Sequence, residues 1–575
     1  MNATPHKKLI RHCEQSDTSH NFRQLLPPNA MRVNHGSAPT PLRLNIMLFV
    51  CAITVACGGG NESTNINGNP PENLLPDQRG CVFQYTPGPV SVRAGADPLV
   101  GQQWHLNNTG QDGGIAGEDV RAFPAWFFTR GAGARVAIID DALDVLHEDL
   151  FANIVPLASY SYRPGSAGSS YPLPCSGYEV HGTAVAGLVA ARAGNAVGGV
   201  GAAPEASIVG YNALITNFEA DLADALTRDL ARNAVYHNSW GAPDNGSPNP
   251  VSSVIKMAIE DGIATGRNGK GAVYVFAGGN GGCYARTNAG ECQHETTGLD
   301  GYLNQLGVMA IGSVDHQGKK PFFAEPGANL LVCAPTSNSA GTSSITTTSA
   351  QNSYRSDFSG ASASAPTVSG VVALMLSANP RLSWRDVRLI LAQTARQNDL
   401  EDAGWMPGPA DRAYNHKYGF GVVDAAAAVT AARSWNSVGG SDRLLACGPY
   451  ERTPNLTLPD ATGTALQPQA DRVNIGPECA ISKIEYVEVS FTATHPYAGD
   501  LRLRLLSPLG LTSELVDERT CRGTGDACGP YRDWHFGSVR HLGESAVGSW
   551  TLQVADAQAE DSGTWERWAL RIWGR

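Results

Sequence analysis

Two different patterns of apolar and polar residues follow one another along the chain. From about residue 97 to 433, short apolar runs such as RVAIID, SIVGYNA, AVYVFAGG and GVMAIGSV alternate with helix-like amphipathic stretches such as FEADLADALTRDLARNA. Apolar strands interleaved with amphipathic helices are typical of a parallel sheet covered on both faces. The pattern therefore predicts an α/β domain over residues 97–433.

The pattern changes after RSWNSVGGSDR at 433–443, a segment with the composition of a linker. From residue 444 onward, runs such as KIEYVEVSFTA, DLRLRLLSP, SWTLQVAD and WERWALRIWG alternate apolar and polar positions between Gly, Pro and Asp turns. A period of two is typical of strands that bury one face. We expect an all-β sandwich over residues 444–575.

The beginning of the chain has neither pattern. Its apolar run LNIMLFVCAITVA is short for a membrane span but suits a signal-peptide core, and the following Cys57 stands in a context resembling a bacterial lipobox. We assign residues 1–57 to a leader, with Met31 as the start of a lipoprotein-type signal, and leave cleavage without lipidation open. Residues 58–90 are rich in Gly, Asn and Pro and predict a flexible linker. We expect a secreted or cell-envelope protein, with outer-membrane lipoprotein of a bacterium as one form and a lipid anchor as its only membrane contact.

Composition narrows the classes of function. A chain of 575 residues is too long for one hydrophobic core, so two folded domains are expected. With 42% hydrophobic and 17% charged residues, the composition is that of a soluble globular protein. The formal charge of −11 argues against binding to nucleic acid and favours the approach of basic ligands.

Nine cysteines lie beyond the leader, where an exported protein can oxidise them. Three pairs are suggested below, and they leave Cys81, Cys175 and Cys333. Because three is odd, at least one of these thiols must stay unpaired. No CxxC pair occurs, so a zinc site is not expected. The suggested pairs are Cys283 with Cys292, Cys521 with Cys528, and Cys447 with Cys479.

Four segments of the first domain carry the residue types of nucleophilic catalysis. Asp140 ends the strand-like VAIID, where a carboxylate can orient an imidazole, and His181 opens the apolar HGTAVAGLVAA as a general base. Ser362 stands at the start of a helix whose amides carry partial positive charge, and Asn280 follows a strand where its amide can stabilise an oxyanion. Singly, each has a structural alternative: a turn acid, a helix cap (which Ser364 also fits) or an Asn-Gly turn. Together they predict hydrolysis by an activated serine.

These segments resemble the subtilisin-like serine proteases, and closely the furin and kexin branch, through DPLVGQQWHL, IIDDALDVLHEDL, HNSWG, GGNGG and SASAPTVSGVVALMLSANPRLSWRDVRLIL. The resemblance covers about 97–433, and the chain order Asp, His, Ser is that of subtilisin. It implies a triad of Asp140, His181 and Ser362, with Asn280 completing the oxyanion hole.

The same resemblance implies how substrate lies in the site. Ser239, Trp240 and Gly241 are expected to pair with the substrate backbone as an added strand. Ala361 departs from the family pattern, which usually has Thr before the catalytic serine. No catalytic proton depends on that position, so activity is still expected.

An acidic S1 pocket is also implied, because a buried guanidinium needs carboxylate partners. Asp244 in SWGAPDNG and Asp300 in LDGYLN match its acids, and Asp141 resembles the acid that faces the P2 side chain. Tyr178 stands where the branch has Asp, although Glu179 adjoins it. We expect cleavage after Arg or Lys, with a looser requirement for a second basic residue.

Calcium is the cofactor that the resemblance implies, since it takes six to eight hard oxygen ligands. Asp244 and Glu325 resemble ligands of a second site, whose third acid is obscured by an inserted segment around Cys283–Cys292. The stretch 158–174 lacks the acids of a further site, which we expect to be absent. The residues matching the main site are Asp97, Asp149 and Asn195 by their side chains and Arg192, Val197 and Gly199 by their carbonyls.

The C-terminal domain resembles the P domain of the convertases through AISKIEYVEVSFTATHPYAGDLRLRLLSPLG, DWHFGSVRHLGE and GSWTLQVAD. This implies a β jelly roll packed on the catalytic domain; an independent carbohydrate-binding or adhesion sandwich is the alternative. Between Cys57 and Gln102 there is no room for the propeptide that usually chaperones the family. Folding is therefore expected to use either a separate chaperone or the P domain with calcium.

The predicted function is that of a calcium-dependent serine endopeptidase acting on proteins or peptides with basic residues. One alternative is a catalytically silent surface-binding protein on the same scaffold, against which the complete triad argues. The other is a degradative protease of broad specificity. Whether Asp244 and Asp300 line the pocket distinguishes this last alternative from a convertase-like enzyme.

Overall fold

The computed structural model describes residue 78 and residues 81–85, 94–283, 295–338, 343–409, 412–461, 466–519 and 528–575. The predicted leader, Cys57 and most of the predicted linker lie outside these ranges. The helices are α1 Ala122–Ala125, α2 His181–Ala190, α3 Glu219–Thr227, α4 Ser253–Gly269, α5 Ala361–Ala378, α6 Trp384–Thr394 and α7 Ala425–Arg433. The first eight strands are β1 Arg135–Ile139, β2 Ser207–Tyr211, β3 Val235–Asn238, β4 Val273–Ala277, β5 Val308–Val314, β6 Leu330–Pro335, β7 Ile345–Ser349 and β8 Ser353–Phe358.

The first domain is built on a six-stranded sheet in the order β2-β1-β3-β4-β5-β6, and every pair in it is parallel. Nearly all residues of these strands are buried, because helices cover the sheet, and this confirms the predicted α/β class. Strands β2 and β3 lie on either side of β1, so the chain changes direction at the carboxyl end of β1. In open α/β sheets such a switch point is where ligands bind.

Helix α5 runs through the centre of this domain. It packs against α2 and against β1, β3, β4, β5 and β6, so its first turn lies at the same edge of the sheet as the strand ends. Within the described ranges it is the single helix long and apolar enough to pass for a membrane span, but 83% of it is buried inside the protein. Its apolar character is therefore that of a core helix.

The second domain is a sandwich of two antiparallel sheets, which confirms the predicted all-β class. One sheet has the order β10-β17-β12-β15, with β9 also paired to β17, and the other has the order β11-β16-β13-β14. Their shared core includes Trp550, Trp565 and Trp568, all almost fully buried. Its strands are β9 Leu445–Arg452, β10 Leu456–Leu458, β11 Gln469–Ile475, β12 Ile484–Thr494, β13 Leu501–Leu506, β14 Thr512–Val516, β15 Tyr531–Ser538, β16 Gly548–Asp556 and β17 Gly563–Gly574.

Buried polar contacts join the two domains. Arg385 of α6 is fully buried and donates to both carboxylate oxygens of Glu485 in β12, at 2.8 and 2.7 Å. Arg385 also donates to the carbonyl oxygens of residues 438–440, the segment that connects the domains. A bidentate pair of this kind fixes orientation as well as proximity.

Two disulfides are seen in the described ranges, Cys81–Cys175 and Cys447–Cys479. The second was predicted from the sequence. Cys333 is a buried free thiol, which agrees with the expectation that one of three cysteines stays unpaired. The other two suggested pairs involve Cys292 and Cys521, which lie outside the described residues.

Candidate active site

The acid and the imidazole of the predicted triad are in contact. Asp140 follows β1 directly and is 1% exposed, while His181 is the first residue of α2. The imidazole Nδ1 lies 2.9 and 3.0 Å from the two carboxylate oxygens of Asp140. Burial acts to lower the pKa of His181, but the charge of Asp140, its hydrogen bond and the charge of Asp141 outweigh burial and raise that pKa. The pair is therefore arranged to stabilise an imidazolium.

Ser362 lies in the first turn of α5, at the same edge of the sheet. Its hydroxyl donates to the carbonyl oxygen of Ser239 at 3.4 Å, and no hydrogen bond within the described ranges joins it to His181. Such bonds are often long or absent before substrate binds. The structure thus brings Asp140 and His181 into contact and places Ser362 beside Ser239, one residue beyond the strand that pairs with β1.

His237 supports this arrangement, although no role was expected for it. Its ring is fully buried and lies 2.9 Å from the hydroxyl of Ser369 in α5 and 2.8 Å from the hydroxyl of Ser239. Burial lowers the pKa of His237 to about 3, so the ring is neutral at physiological pH. Ser239 in turn donates to the carbonyl oxygen of Ser362. A neutral histidine thus joins β3 to α5.

Asn280 is held by Ala361, the residue before Ser362. Its side-chain oxygen accepts a hydrogen bond from the backbone N–H of Ala361 at 2.8 Å, which leaves the amide nitrogen to donate to an oxyanion. Gly360 has φ of 81°, and a Cβ there would approach the Asn280 oxygen to 3.0 Å. Because a backbone N–H makes this contact, Ala361 in place of the usual Thr does not remove it.

Ser239, Trp240 and Gly241 form one wall of a cavity of about 150 Å³ that opens at Ser362. The indole N–H of Trp240 donates to the carbonyl oxygen of Ile139, next to Asp140, at 2.9 Å. A Cβ on Gly241 would approach a carboxylate oxygen of Asp300 to 2.6 Å. Glycine at this position therefore lets the carboxylate lie against the wall.

Four carboxylates line the cavity: those of Asp244, Glu295, Asp300 and Glu325. Burial, opposed by backbone hydrogen bonds and reinforced by Asp244, raises the pKa of Asp300 to about 6. Burial raises the pKa of Glu295 to about 7, and the pKa of Glu325 is raised well above its usual range by burial, then by the charges of Asp244 and Glu295. Negative charge is concentrated where a cationic side chain can neutralise it.

The fourth carboxylate, that of Glu295, was not recognised as a candidate from the sequence. It is 3% exposed, and its Oε2 accepts a hydrogen bond from the backbone N–H of Gly246 at 2.5 Å, while its Oε1 has no hydrogen-bond partner among the described residues. Glu295 stands three residues after Cys292, beside the segment that looks inserted in the sequence, and was therefore obscured as a candidate.

Asp141 binds the beginning of α2. Its carboxylate accepts hydrogen bonds from the backbone N–H groups of His181 at 3.2 Å and Gly182 at 2.9 Å. Burial, then the charge of Asp140, raises its pKa to about 7. Tyr178 is 96% exposed, and Glu179 is paired with Arg163.

The side chains matched to the main calcium site lie together, although no group of three His, Cys, Asp or Glu side chains within the described ranges is arranged about a common metal position. Asn195 donates its backbone N–H to Asp97 at 3.0 Å and its side-chain amide to Asp149 at 2.8 Å. Burial is the largest cause that raises the pKa of Asp149 to about 7, and the charges of Asp97 and Glu148 add to it. The carbonyl oxygens of Arg192, Val197 and Gly199 accept no hydrogen bond from any described residue.

Comparison with known proteins places this site in a family. The model of the subtilase family matches residues 131–421, about half of the chain, and that of the proprotein convertase P-domain matches residues 484–572. The chain belongs to the subtilase family. Within that family it belongs to the branch that includes furin and kexin.

This subtilase is 35% identical over 499 residues to furin-like protease 2 of Drosophila melanogaster and 31% identical over 490 residues to human neuroendocrine convertase 2, each covering 83% of the chain. The chain spans 28% of the length of the first protein and 74% of the second. Its fold is similar to that of a serine protease of Aeromonas sobria solved in complex with a chaperone, with a TM-score of 0.72, 25% identity, and coverage of 84% of this chain and 96% of that one.

Proposed function

We propose that this subtilase cleaves peptide bonds after Arg or Lys and is stabilised by calcium. The observation that carries the specificity is the cluster of four carboxylates in the cavity beside Ser362. Buried like charges raise one another's pKa values and destabilise the ionised cluster. A guanidinium or ammonium group in the cavity relieves that repulsion and supplies hydrogen-bond donors. An apolar P1 side chain would leave the buried carboxylate of Asp300 without a cationic partner.

The proposed reaction uses the three residues at the edge of the sheet. Ser362 Oγ attacks the substrate carbonyl while its proton passes to His181 Nε2, and Asp140 stabilises the imidazolium through Nδ1. Asn280 donates its amide to the oxyanion. His181 then gives the proton to the leaving amine, and water repeats the sequence to release the acyl group. A Ser239–Gly241 backbone paired with substrate holds the scissile bond in place.

Two features support calcium at the main site. Asp97 and Asp149 bring two carboxylates together where the pKa of Asp149 is raised, so a cation there would offset burial and repulsion. Carbonyl oxygens that accept no hydrogen bond are available beside them. Asp97, Asp149, Asn195 and the carbonyls of Arg192, Val197 and Gly199 would hold the ion, which supplies positive charge and cross-links the loops. Near the pocket, Asp244, Glu295 and Glu325 would hold a second ion, and the unpartnered Glu295 oxygen supports this.

The requirement at P2 and P4 is proposed to be loose. Tyr178 offers no charge, and Glu179 already pairs with Arg163 and accepts the backbone N–H of Cys175 at 2.7 Å. Asp141 is engaged by the beginning of α2. No unpaired acid among these three is therefore available to select a second basic residue strongly.

Export belongs to the proposal, as does a lipid anchor at Cys57, and both rest on residues outside the described ranges. The substrates are proteins or peptides with accessible basic residues. A separate folding chaperone is also proposed, supported by the likeness to the Aeromonas sobria protease, which was solved with one. Refolding the purified chain with and without calcium tests whether such a partner is required.

One assay separates the proposal from its alternatives. Fluorogenic peptides that differ only in Arg, Lys, Leu or Phe at P1 are hydrolysed by wild type and by Ser362→Ala, with and without a serine-directed phosphonate. We expect cleavage after Arg and Lys alone, inhibition by the phosphonate and no turnover by the variant. Equal cleavage after Leu or Phe would indicate a degradative protease, and no turnover by folded wild type would indicate a silent scaffold.

A further inference from the structure

The P domain reaches the back of the acidic cavity. Trp534 of β15 donates its indole N–H to the carbonyl oxygen of Gly298 at 3.0 Å, and the backbone N–H of Gly537 donates to the side-chain oxygen of Asn304 at 2.9 Å. Asn304 in turn donates to the carbonyl oxygens of Gly298 and Asp300, at 2.8 and 3.0 Å. The backbone of one pocket acid is thus supported from the second domain.

Arg519 makes the most direct of these contacts. Its side chain is 7% exposed and lies just after β14. Nε donates to the carbonyl oxygen of Gly246 at 2.6 Å, and Nη2 donates to the hydroxyl of Tyr531 at 2.9 Å. The backbone N–H of Arg519 donates to the carbonyl oxygen of Gly499 at 2.8 Å. Among the described residues, the guanidinium therefore has partners inside the P domain and one hydrogen bond to the first domain.

The peptide that Arg519 holds is itself bound to the pocket. Gly246 stands two residues after Asp244, and its N–H donates to Glu295 Oε2 at 2.5 Å. A single glycine is therefore fixed at its carbonyl by the P domain and at its N–H by a pocket acid. Arg519 also brings a positive charge towards Glu295. Among the described residues Lys320 also lies near the cluster: the charge of Glu325 acts to raise its pKa, and its ammonium donates to the carbonyl oxygen of Ala324 at 2.6 Å.

We propose that Arg519 is a positioning residue for the S1 pocket. Arg519 fixes Gly246, and through Gly246 it positions the carboxylates of Asp244 and Glu295. A guanidinium holds its donors in a rigid planar fork and so bonds two groups in one fixed geometry, whereas the Lys ammonium is a compact donor on a flexible stem. Supporting contacts of this kind hold binding groups in the geometry that a ligand needs. The functional consequence rests on the proposed preference for basic P1 residues, while the positioning itself does not.

The test compares Arg519→Met with Arg385→Met, since each removes a buried arginine that crosses between the domains. Arg385 contacts Glu485 and the connecting segment and touches no residue of the cavity. We expect Arg519→Met to accelerate amide hydrogen exchange in residues 239–250 by about tenfold and to raise KM for P1-Arg peptides by about tenfold, with kcat changed less than about threefold. Arg385→Met should leave exchange in that segment at the wild-type rate.

Equal acceleration by both variants, or wild-type exchange in Arg519→Met, would overturn the proposal. If Arg519→Met does not fold, Tyr531→Phe removes only the hydroxyl that orients Nη2 and should change exchange in the same direction by a smaller factor; wild-type exchange in it counts against the proposal. A wild-type enzyme that cleaves after Leu and Arg equally would sink the proposed specificity, and hydrogen exchange alone would then decide the role of Arg519.

Discussion

Replacing Asp300 by Asn should make the protein more stable and less able to cleave after Arg. The pKa of Asp300 is raised to about 6 from 3.8, so the folded state binds the proton more tightly than the unfolded state. Stability is then lost as pH rises through the window from about 4 to about 6. Two pKa units correspond to about 3 kcal/mol at neutral pH. Asn avoids this loss. Because its side chain has a single oxygen, it cannot accept hydrogen bonds from the backbone N–H groups of both Ala242 and Tyr302 as Asp300 does, which costs about 1 kcal/mol.

The net expectation is about 2 kcal/mol of added stability at pH 7.5 that disappears by pH 4. Loss of a charged partner for the P1 side chain should raise the activation free energy for Arg peptides by about 2–3 kcal/mol. This lowers kcat/KM by about 30- to 150-fold. Urea unfolding at both pH values and peptide hydrolysis measure the two effects. Asp315→Asn is the matched control, because Asp315 is equally surrounded by backbone donors, Gln317 and Lys319, outside the cavity. Wild-type hydrolysis by Asp300→Asn, or the same stability change in both variants, would refute the reasoning.

Three further outcomes are expected. Ser362→Ala should lower kcat by about 10⁶-fold and Asn280→Ala by about 10²–10³-fold, magnitudes taken from precedents that include subtilisin itself. The unfolding temperature of Ser362→Ala should stay near wild type, and measurable turnover by this variant would contradict the assignment. Asp141→Asn removes a negative charge that raises the pKa of His181, so the acid limb of the kcat/KM profile should move to lower pH; a shift to higher pH would contradict this. Chelation should lower the unfolding temperature more at pH 8 than at pH 5, because Asp149, with its pKa raised to about 7, is ionised only at the higher pH; equal effects would count against calcium at that site.

The sheet and the residues at its edge could be predicted because they depend on local pattern. Apolar strands that end in Asp140 or are followed by Asn280 place those side chains at the carboxyl edge of a parallel sheet wherever the strands lie in it. The alternation of apolar and polar residues in β12, β13 and β16 likewise specifies strands with one buried face.

The supporting residues could not be found in this way. Glu295, His237 and Arg519 act through partners that are distant in sequence: Arg519 lies 273 positions from Gly246, and His237 lies 132 positions from Ser369. A buried acid after an insertion, a histidine inside a strand and an arginine after a strand have no local pattern that distinguishes them from ordinary core or surface residues. Their roles depend on which strands become neighbours.

The acidic cavity explains why a second domain should be built against the first at this place. Carboxylates such as Glu295 and Glu325 are buried near one another before substrate arrives, and their repulsion opposes the folded state. This repulsion favours separation of the loops that carry these carboxylates unless another contact holds them together. Arg519 supplies both a hydrogen bond and a positive charge from the P domain. Asn304, bonded to the P domain through Gly537, supports the backbone of Asp300. The proposed affinity for a basic P1 side chain would therefore draw on the same repulsion that Arg519 is proposed to offset.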